Sequence, residues 1–252
     1  MKKVLFIMGI ALYLAACGKM GPLIPPEAMA PSPINDLTVS QSGERFLLCL
    51  SPPSRDEVGR PLDDLAGIRM LKREVLPPDE DCEECPNAYH LYRMVDLEYS
   101  INALRYGNIY CLYDTDLAMG KTYQYKAVSI RQDETQSRDS NKVRKKFVAP
   151  PVAPVLAGIS TETGVELEWT APSQPESVMP AGFNIYRSES ADRMSLRPIN
   201  PEPVQGTRYV DRSLELGASY FYAVRTVARV AEEMVESVSS NKVAGEMRFP
   251  EE

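Results

Sequence analysis

The stretch Leu117-Ala118-Met119-Gly120-Lys121-Thr122-Tyr123-Gln124-Tyr125 returns later in the chain as Leu214-Glu215-Leu216-Gly217-Ala218-Ser219-Tyr220-Phe221-Tyr222. Three further blocks recur around it in the same order. Residues 45–53, RFLLCLSPP, align with 164–172, GVELEWTAP. Both alternate before running into proline: Phe46, Leu48 and Leu50 take one parity in the first block, and Val165, Leu167 and Trp169 in the second. Period-two alternation marks strands with one buried face, and proline lacks the amide that a central strand must donate. Ala66-Gly67-Ile68-Arg69-Met70-Leu71-Lys72-Arg73 lies over Ala181-Gly182-Phe183-Asn184-Ile185-Tyr186-Arg187, and both copies close on Ser-Asn-Lys-Val, at 140–143 and 240–243. Four blocks in one order make this a duplicated domain.

Each copy reads as short alternating strands separated by Pro, Gly, Asn and Ser clusters, without a long amphipathic helix. That pattern predicts an all-β sandwich. Pro33 and Pro154 precede the first strands, Trp169 sits in the second strand of copy two, and Tyr186-Arg187 follows in the third. The most specific element is Leu-x-x-Gly-x-x-Tyr, at 117–123 and 214–220. On these residues each copy resembles the fibronectin type III family of immunoglobulin-like folds. The resemblance implies two tandem β-sandwiches, over residues 33–148 and 151–248. It also implies that Tyr123 and Tyr220 occupy tyrosine corners, where the ring packs under a turn and the hydroxyl bonds back to the loop. Both are then structural residues. Leu50 stands where copy two has Trp169, so the first core is expected to pack differently. The junction Val148-Ala149-Pro150-Pro151-Val152-Ala153-Pro154 reads as a stiff, polyproline-like spacer.

Residues 1–16 read as a secretory signal: a basic start at Lys2-Lys3, an uncharged apolar run from Val4 to Leu14, then Ala15-Ala16. The run is too short for a permanent membrane helix, which needs about 20 residues. Leu14-Ala15-Ala16-Cys17 resembles a bacterial lipobox. The resemblance implies cleavage before Cys17, diacylation of its sulfur, and acylation (palmitate-type) of the new amino terminus. An ordinary signal with an incidental cysteine is the plainer alternative. Several acyl chains, each gaining about 0.8 kcal/mol per buried methylene, anchor stably where one does not. By resemblance to sorted lipoproteins, Gly18 favours the outer membrane, facing either the periplasm or the surface. Residues 17–32 then form an acylated stem rich in proline (Pro22, Pro25, Pro26, Pro31). In an extended state, at about 3.1 Å per residue, it reaches roughly 40 Å from the lipid.

The chain carries a formal net charge of −7, and removing residues 1–16 takes away two lysines and no acids, giving −9. An acidic surface argues against a nucleic-acid partner. Hydrophobic residues make up 44% of the chain and no second long apolar run exists, so the remainder reads as globular.

Apart from Cys17, four cysteines remain, all in copy one, and an exported protein can keep them as disulfides. In the type III arrangement the strand carrying Cys49 neighbours the strand that Cys111 precedes. The resemblance therefore implies a Cys49–Cys111 bridge, leaving Cys82 and Cys85 to close a local loop; two other connectivities stay open. The alternative for Cys82-Glu83-Glu84-Cys85 is a redox or metal site. Five neighbouring acids raise a thiol pKa, Pro86 stands where haem attachment needs histidine, and zinc needs four ligands while His90 is the single histidine. A nucleophilic triad would also have to use His90. No phosphate-binding glycine loop follows a strand. The expectation is a non-enzymatic chain without metal or cofactor.

Cys17-Gly18-Lys19-Met20-Gly21-Pro22-Leu23-Ile24-Pro25-Pro26 is also similar to the start of the small LptM lipoproteins. That resemblance implies contact with outer-membrane lipopolysaccharide-transport machinery through residues 17–26; a plain membrane-exit stem is the alternative. The sequence thus predicts a lipid-anchored binding or scaffolding protein of the bacterial envelope with a protein partner. An assembly factor acting through residues 17–26 is the second reading, and an enzyme or redox carrier centred on Cys82 and Cys85 the third.

Overall fold

The computed structural model describes residues 29–100 and 102–247 and is built from strands throughout. Copy one contains β1 (Thr38–Ser42), β2 (Arg45–Leu50), β3 (Leu65–Val75), β4 (His90–Asp96), β5 (Leu104–Tyr106), β6 (Ile109–Asp114), β7 (Thr122–Arg131) and β8 (Val143–Lys146). Copy two contains β9 (Leu156–Thr161), β10 (Gly164–Trp169), β11 (Val178–Ser188), β12 (Arg208–Asp211), β13 (Ser219–Val230), β14 (Glu233–Glu236) and β15 (Val243–Glu246). In the first sandwich, β1-β2-β6-β5 faces β4-β3-β7-β8; in the second, β9-β10-β12 faces β11-β13-β15. This is a tandem pair of immunoglobulin-like, fibronectin type III-like sandwiches.

The alternating residues of the repeat fill the two cores. Phe46, Leu48 and Leu50 are at most 2% exposed, and Val165, Leu167 and Trp169 at most 4%. The Leu50/Trp169 difference is absorbed by ring packing. Copy one gathers Tyr123, Tyr125 and Phe147 edge-on around Phe46, at centroid distances of 6.3, 6.4 and 5.7 Å. Copy two sets Trp169 against Phe183 at 5.4 Å. Each buried ring contributes about 1.5–3 kcal/mol.

The repeated Ala-Gly pairs mark equivalent bulges: the register of β3 slips between Leu65 and Gly67, and that of β11 between Pro180 and Gly182. A Cβ on Gly67 would lie 2.7 Å from the Val95 carbonyl oxygen, and one on Gly182 2.7 Å from that of Val204. The repeated Ser-Asn-Lys-Val has an equally local cause. Ser140 Oγ accepts the Ala127 amide at 2.8 Å and Ser240 Oγ the Val224 amide at 3.0 Å, replacing ladder partners by side chains. The Asn141 amide group brackets the main chain of Leu37 (3.0 and 2.8 Å), as Asn241 brackets Leu156 (2.8 and 2.8 Å). These bonds tie the last strand of one sheet to the first strand of the other.

The junction between copies does not act as a spacer. β1 pairs in parallel with β14, Gln41 opposite Val235 and Ser42 opposite Glu236, so one sheet runs β11-β13-β14-β1-β2-β6-β5 across both copies. Val148 packs with Val178, Ala228, Val230 and Val235 in a small core at the joint. Buried Gln41 donates to the Val148 carbonyl at 2.6 Å and accepts its amide at 3.3 Å, and Lys145 pairs with Glu233 at 2.7 Å. The prolines hold the junction extended while its valine anchors both sides.

Candidate functional site between the two domains

Tyr123 and Tyr220 lie at the start of β7 and β13. The Ala118 amide donates to Tyr123 Oη at 2.9 Å, and the Glu215 amide to Tyr220 Oη at 3.4 Å. Gly120 and Gly217 take φ values of +80° and +76° in those turns, where a side chain is strained. Tyr123→Phe deletes a hydroxyl and strands the Ala118 amide, at an expected cost of about 1–3 kcal/mol. Tyr220→Phe removes a longer bond, so it should cost less. Urea melts of the full chain that rank the two substitutions the other way would refute this difference.

Beneath each corner lies an ion pair that sequence inspection missed. Lys72 Nζ meets Asp114 Oδ2 at 2.8 Å, with side-chain exposures of 3% and 0%. Lys72 also donates to the Asp116 carbonyl, and Tyr125 Oη donates to Asp114 Oδ2, both at 2.5 Å. In copy two, Arg187 meets Asp211 at 2.8 Å and Tyr222 Oη donates to the same carboxylate at 3.0 Å. Burial first, then the Asp114 carboxylate, raises the Tyr125 hydroxyl far above the phenol range, so it stays a proton donor at neutral pH. Tyr92 is pushed up to about 12, by burial and then Asp114. Lys72, Asp114 and Tyr125 are enclosed and mutually satisfied, whereas Arg187 reaches the surface. The signal was in the repeat: Lys72 and Arg187 align, and Asp114 and Asp211 both end their strands.

Cys49 and Cys111 stand directly opposite each other on β2 and β6, bridged, with Cα atoms 4.2 Å apart. Cys111 lies inside β6 and not ahead of it, because the two-residue turn Gly107-Asn108 adds β5 and lengthens the strand. Cys82 and Cys85 are bridged in the acidic loop. That loop is docked on the second sheet of copy one. Arg73 grips Asp81 with two bonds of 2.6 and 3.0 Å, and Glu83 accepts from Lys142 at 2.5 Å and from Gln124 and Tyr89 at 3.3 Å. The Arg73 bond holds Asp81 below the usual carboxylate range, and the Lys142 bond does the same for Glu83. Lowered folded pKa values mean that these contacts stabilise above the unfolded carboxylate pKa and are lost as pH falls through the folded one. Exposed His90 opens β4, and no metal-ligand cluster of three side chains occurs among the described residues. Cys17, the signal and most of the stem lie outside the described residues.

The continuous sheet has its two ends brought together. Tyr106 Oη, on β5, donates to the Met194 carbonyl at 3.2 Å, in the loop that follows β11. Arg193 donates to the Arg105 carbonyl, and its guanidinium lies 4.8 Å from the Tyr106 ring centroid. This clasp encloses a groove of about 670 Å³ between the domains. It runs on into a hollow of about 630 Å³, with Ser40, Leu47, Tyr106, Ser195 and Leu196 lining both. Two more arginines stack on tyrosines there: Arg45 at 3.7 Å over Tyr113 and Arg225 at 4.6 Å over Tyr186. Lys242 adds a fourth cation. Glu236 is already engaged by Arg225 at 3.0 Å and by Tyr186 and Asn184 at 2.6 Å each. Against these four cations the lining sets two acids, Asp192 and Glu236, so the groove carries a positive excess in a chain of net charge −7.

No family model matches the chain. It is 29% identical over 120 residues to the M-protein of striated muscle from Gallus gallus, a stretch covering 46% of this chain and 8% of that protein. The chain therefore spans less than a tenth of that curated relative. The likeness is compatible with fibronectin type III-like domains.

Proposed function

We propose that this chain is a lipid-anchored, non-enzymatic binding protein of the bacterial cell envelope that presents two sandwiches as one rigid unit. The observation that carries the reading is the joint: β1 pairs with β14, Gln41 clamps Val148, and a groove opens where the domains meet. A free linker would leave two independent modules, whereas a shared sheet creates a surface to which both contribute. The Lys72–Asp114 pair is buried and satisfied by its own neighbours, and the Cys82–Cys85 loop is bridged and held by Arg73 and Lys142. The anchor rests on Leu14–Cys17 and the stem that follows. The second reading, an assembly factor for lipopolysaccharide-transport machinery, rests on Gly21-Pro22-Leu23 following the acylated cysteine.

Cys17→Ser is expected to leave an uncleaved, unacylated precursor that drops out of the membrane-bound fraction. Metabolic labelling with a fatty-acid analogue reads this directly, and equal labelling of wild type and variant would refute the anchor. Pull-down of the lipidated protein, with and without residues 18–26, separates the two partner readings.

A further inference from the structure

We propose that the interdomain groove binds an extended acidic peptide segment of a partner protein, its carboxylates seated on the stacked arginines. The proposal deepens the binding reading above and rests on it. Charge comes first. Arg45, Arg193 and Lys242 form no ion pair among the described residues, although acids outnumber bases in the chain, 35 to 28. Within the groove Glu236 is spent on Arg225, so Arg45, Arg193 and Lys242 face Asp192 as its one other acid, an excess of positive charge that a ligand's carboxylates would meet.

Geometry sharpens this. Three guanidiniums, from two domains, each lie on a tyrosine ring. Stacking fixes the plane of the fork at less entropic cost than a lysine would require; Arg45 makes no side-chain hydrogen bond among the described residues, so its edge is open to a carboxylate, while Arg193 keeps the nitrogens not used on the Arg105 carbonyl. Arg225 already holds a carboxylate from this stacked position, its Nη1 on Glu236 Oε2 at 3.0 Å, with Ser42 and Ser239 taking its other bonds.

Shape selects an extended chain. The groove and its adjoining hollow share a lining and so extend one another as a trough, and apolar Leu47, Leu104, Met194 and Leu196 line it along with the cations. A strand-like peptide alternates its side chains between two sides, so acidic residues can meet the arginines while apolar ones meet the leucines. The trough floor is the face of a paired sheet, so recognition is through side chains and not by adding a strand.

The test uses the full chain in detergent and a fluorescein-labelled eight-residue peptide alternating Glu and Leu, read by anisotropy. The acidic peptide should bind with an affinity that falls with salt, and the same peptide with Lys for Glu should not. Arg45→Gln with Arg193→Gln should weaken binding at least tenfold, and Arg45→Gln alone, which leaves the clasp intact, several-fold. Arg45→Lys should recover only part of the loss, and Arg144→Gln, outside the groove, should change nothing. Failure of the acidic peptide to bind, or equal binding by the double variant or of the Lys peptide, overturns the proposal. If the lipidated double variant still pulls down the same envelope partner as wild type, the groove assignment falls while the binding reading stands.

Discussion

Asp114→Ala is expected to cost the first domain about 3–5 kcal/mol, a large share of what holds a domain of this size folded. The carboxylate sits at the end of β6 with 0% side-chain exposure and neutralises Lys72, itself 3% exposed. Removing it strands an ammonium whose only other acceptor among the described residues is the Asp116 carbonyl, and also strands the Tyr125 hydroxyl. The cost is therefore that of an uncompensated buried charge, not of one lost contact. Lys72→Met combined with Asp114→Leu removes both charges and should recover most of the loss, because desolvating an ion pair offsets much of its attraction. Copy two supplies the internal control. Arg187 keeps 25% side-chain exposure, so water can take over part of its solvation and Asp211→Ala should cost less than Asp114→Ala. Urea unfolding of the full chain measures both. Equal midpoints for wild type and Asp114→Ala, or a larger loss at Asp211, would refute the account.

The parts of the fold legible in the sequence are those where a local geometry admits few residues. Gly120 and Gly217 are needed at positive φ, Gly67 and Gly182 where a Cβ would meet a carbonyl, and the Ser-Asn pairs where side chains replace strand partners. Each recurs in both copies, so the duplication exposed them. Alternation in β2 and β10 exposed the cores for the same reason. What stayed hidden depends on pairing between distant polar residues. Lys72 and Asp114 each read as surface charges until β3 and β6 are placed on one core. The acids of 79–84 figure in the sequence only as neighbours of Cys82 and Cys85, whereas in the fold Arg73 and Lys142, from two other segments, draw Asp81 and Glu83 onto the sheet. The domain joint was the least legible. Its edge residues Gln41, Ser42 and Glu236 are polar, and nothing in β1 or β14 alone distinguishes an edge that pairs with another domain from one that faces water. The groove inherits that opacity, since Arg45, Arg193 and Arg225 come together only once the joint forms.

Cys49→Ala is expected to lower stability by roughly 4 kcal/mol, while Cys82→Ala should change it little. The contrast follows from loop length. The Cys49–Cys111 bridge joins residues 62 apart, so it removes much conformational freedom from the unfolded chain. Cys82 and Cys85 are three residues apart and restrict it little. The acidic loop has other restraints as well: with its disulfide gone, Arg73 still grips Asp81 and Lys142 still holds Glu83. Position adds to the effect in copy one. Cys49 and Cys111 are register partners on the two central strands of β1-β2-β6-β5, and Cys111 is fully buried, so cutting the bridge also loosens packing on the face that floors the hollow beside the groove. Thermal melts should therefore show a clear fall for Cys49→Ala, a fall of similar size for wild type fully reduced before heating, and a slight one for Cys82→Ala. Peptide mapping of non-reduced protein should recover the Cys49–Cys111 pair and a separate Cys82–Cys85 pair. A mapped Cys49–Cys82 link, or a larger loss from Cys82→Ala than from Cys49→Ala, would overturn the assignment of stability to the long loop and return the Cys82-Glu83-Glu84-Cys85 segment to consideration as a reactive site.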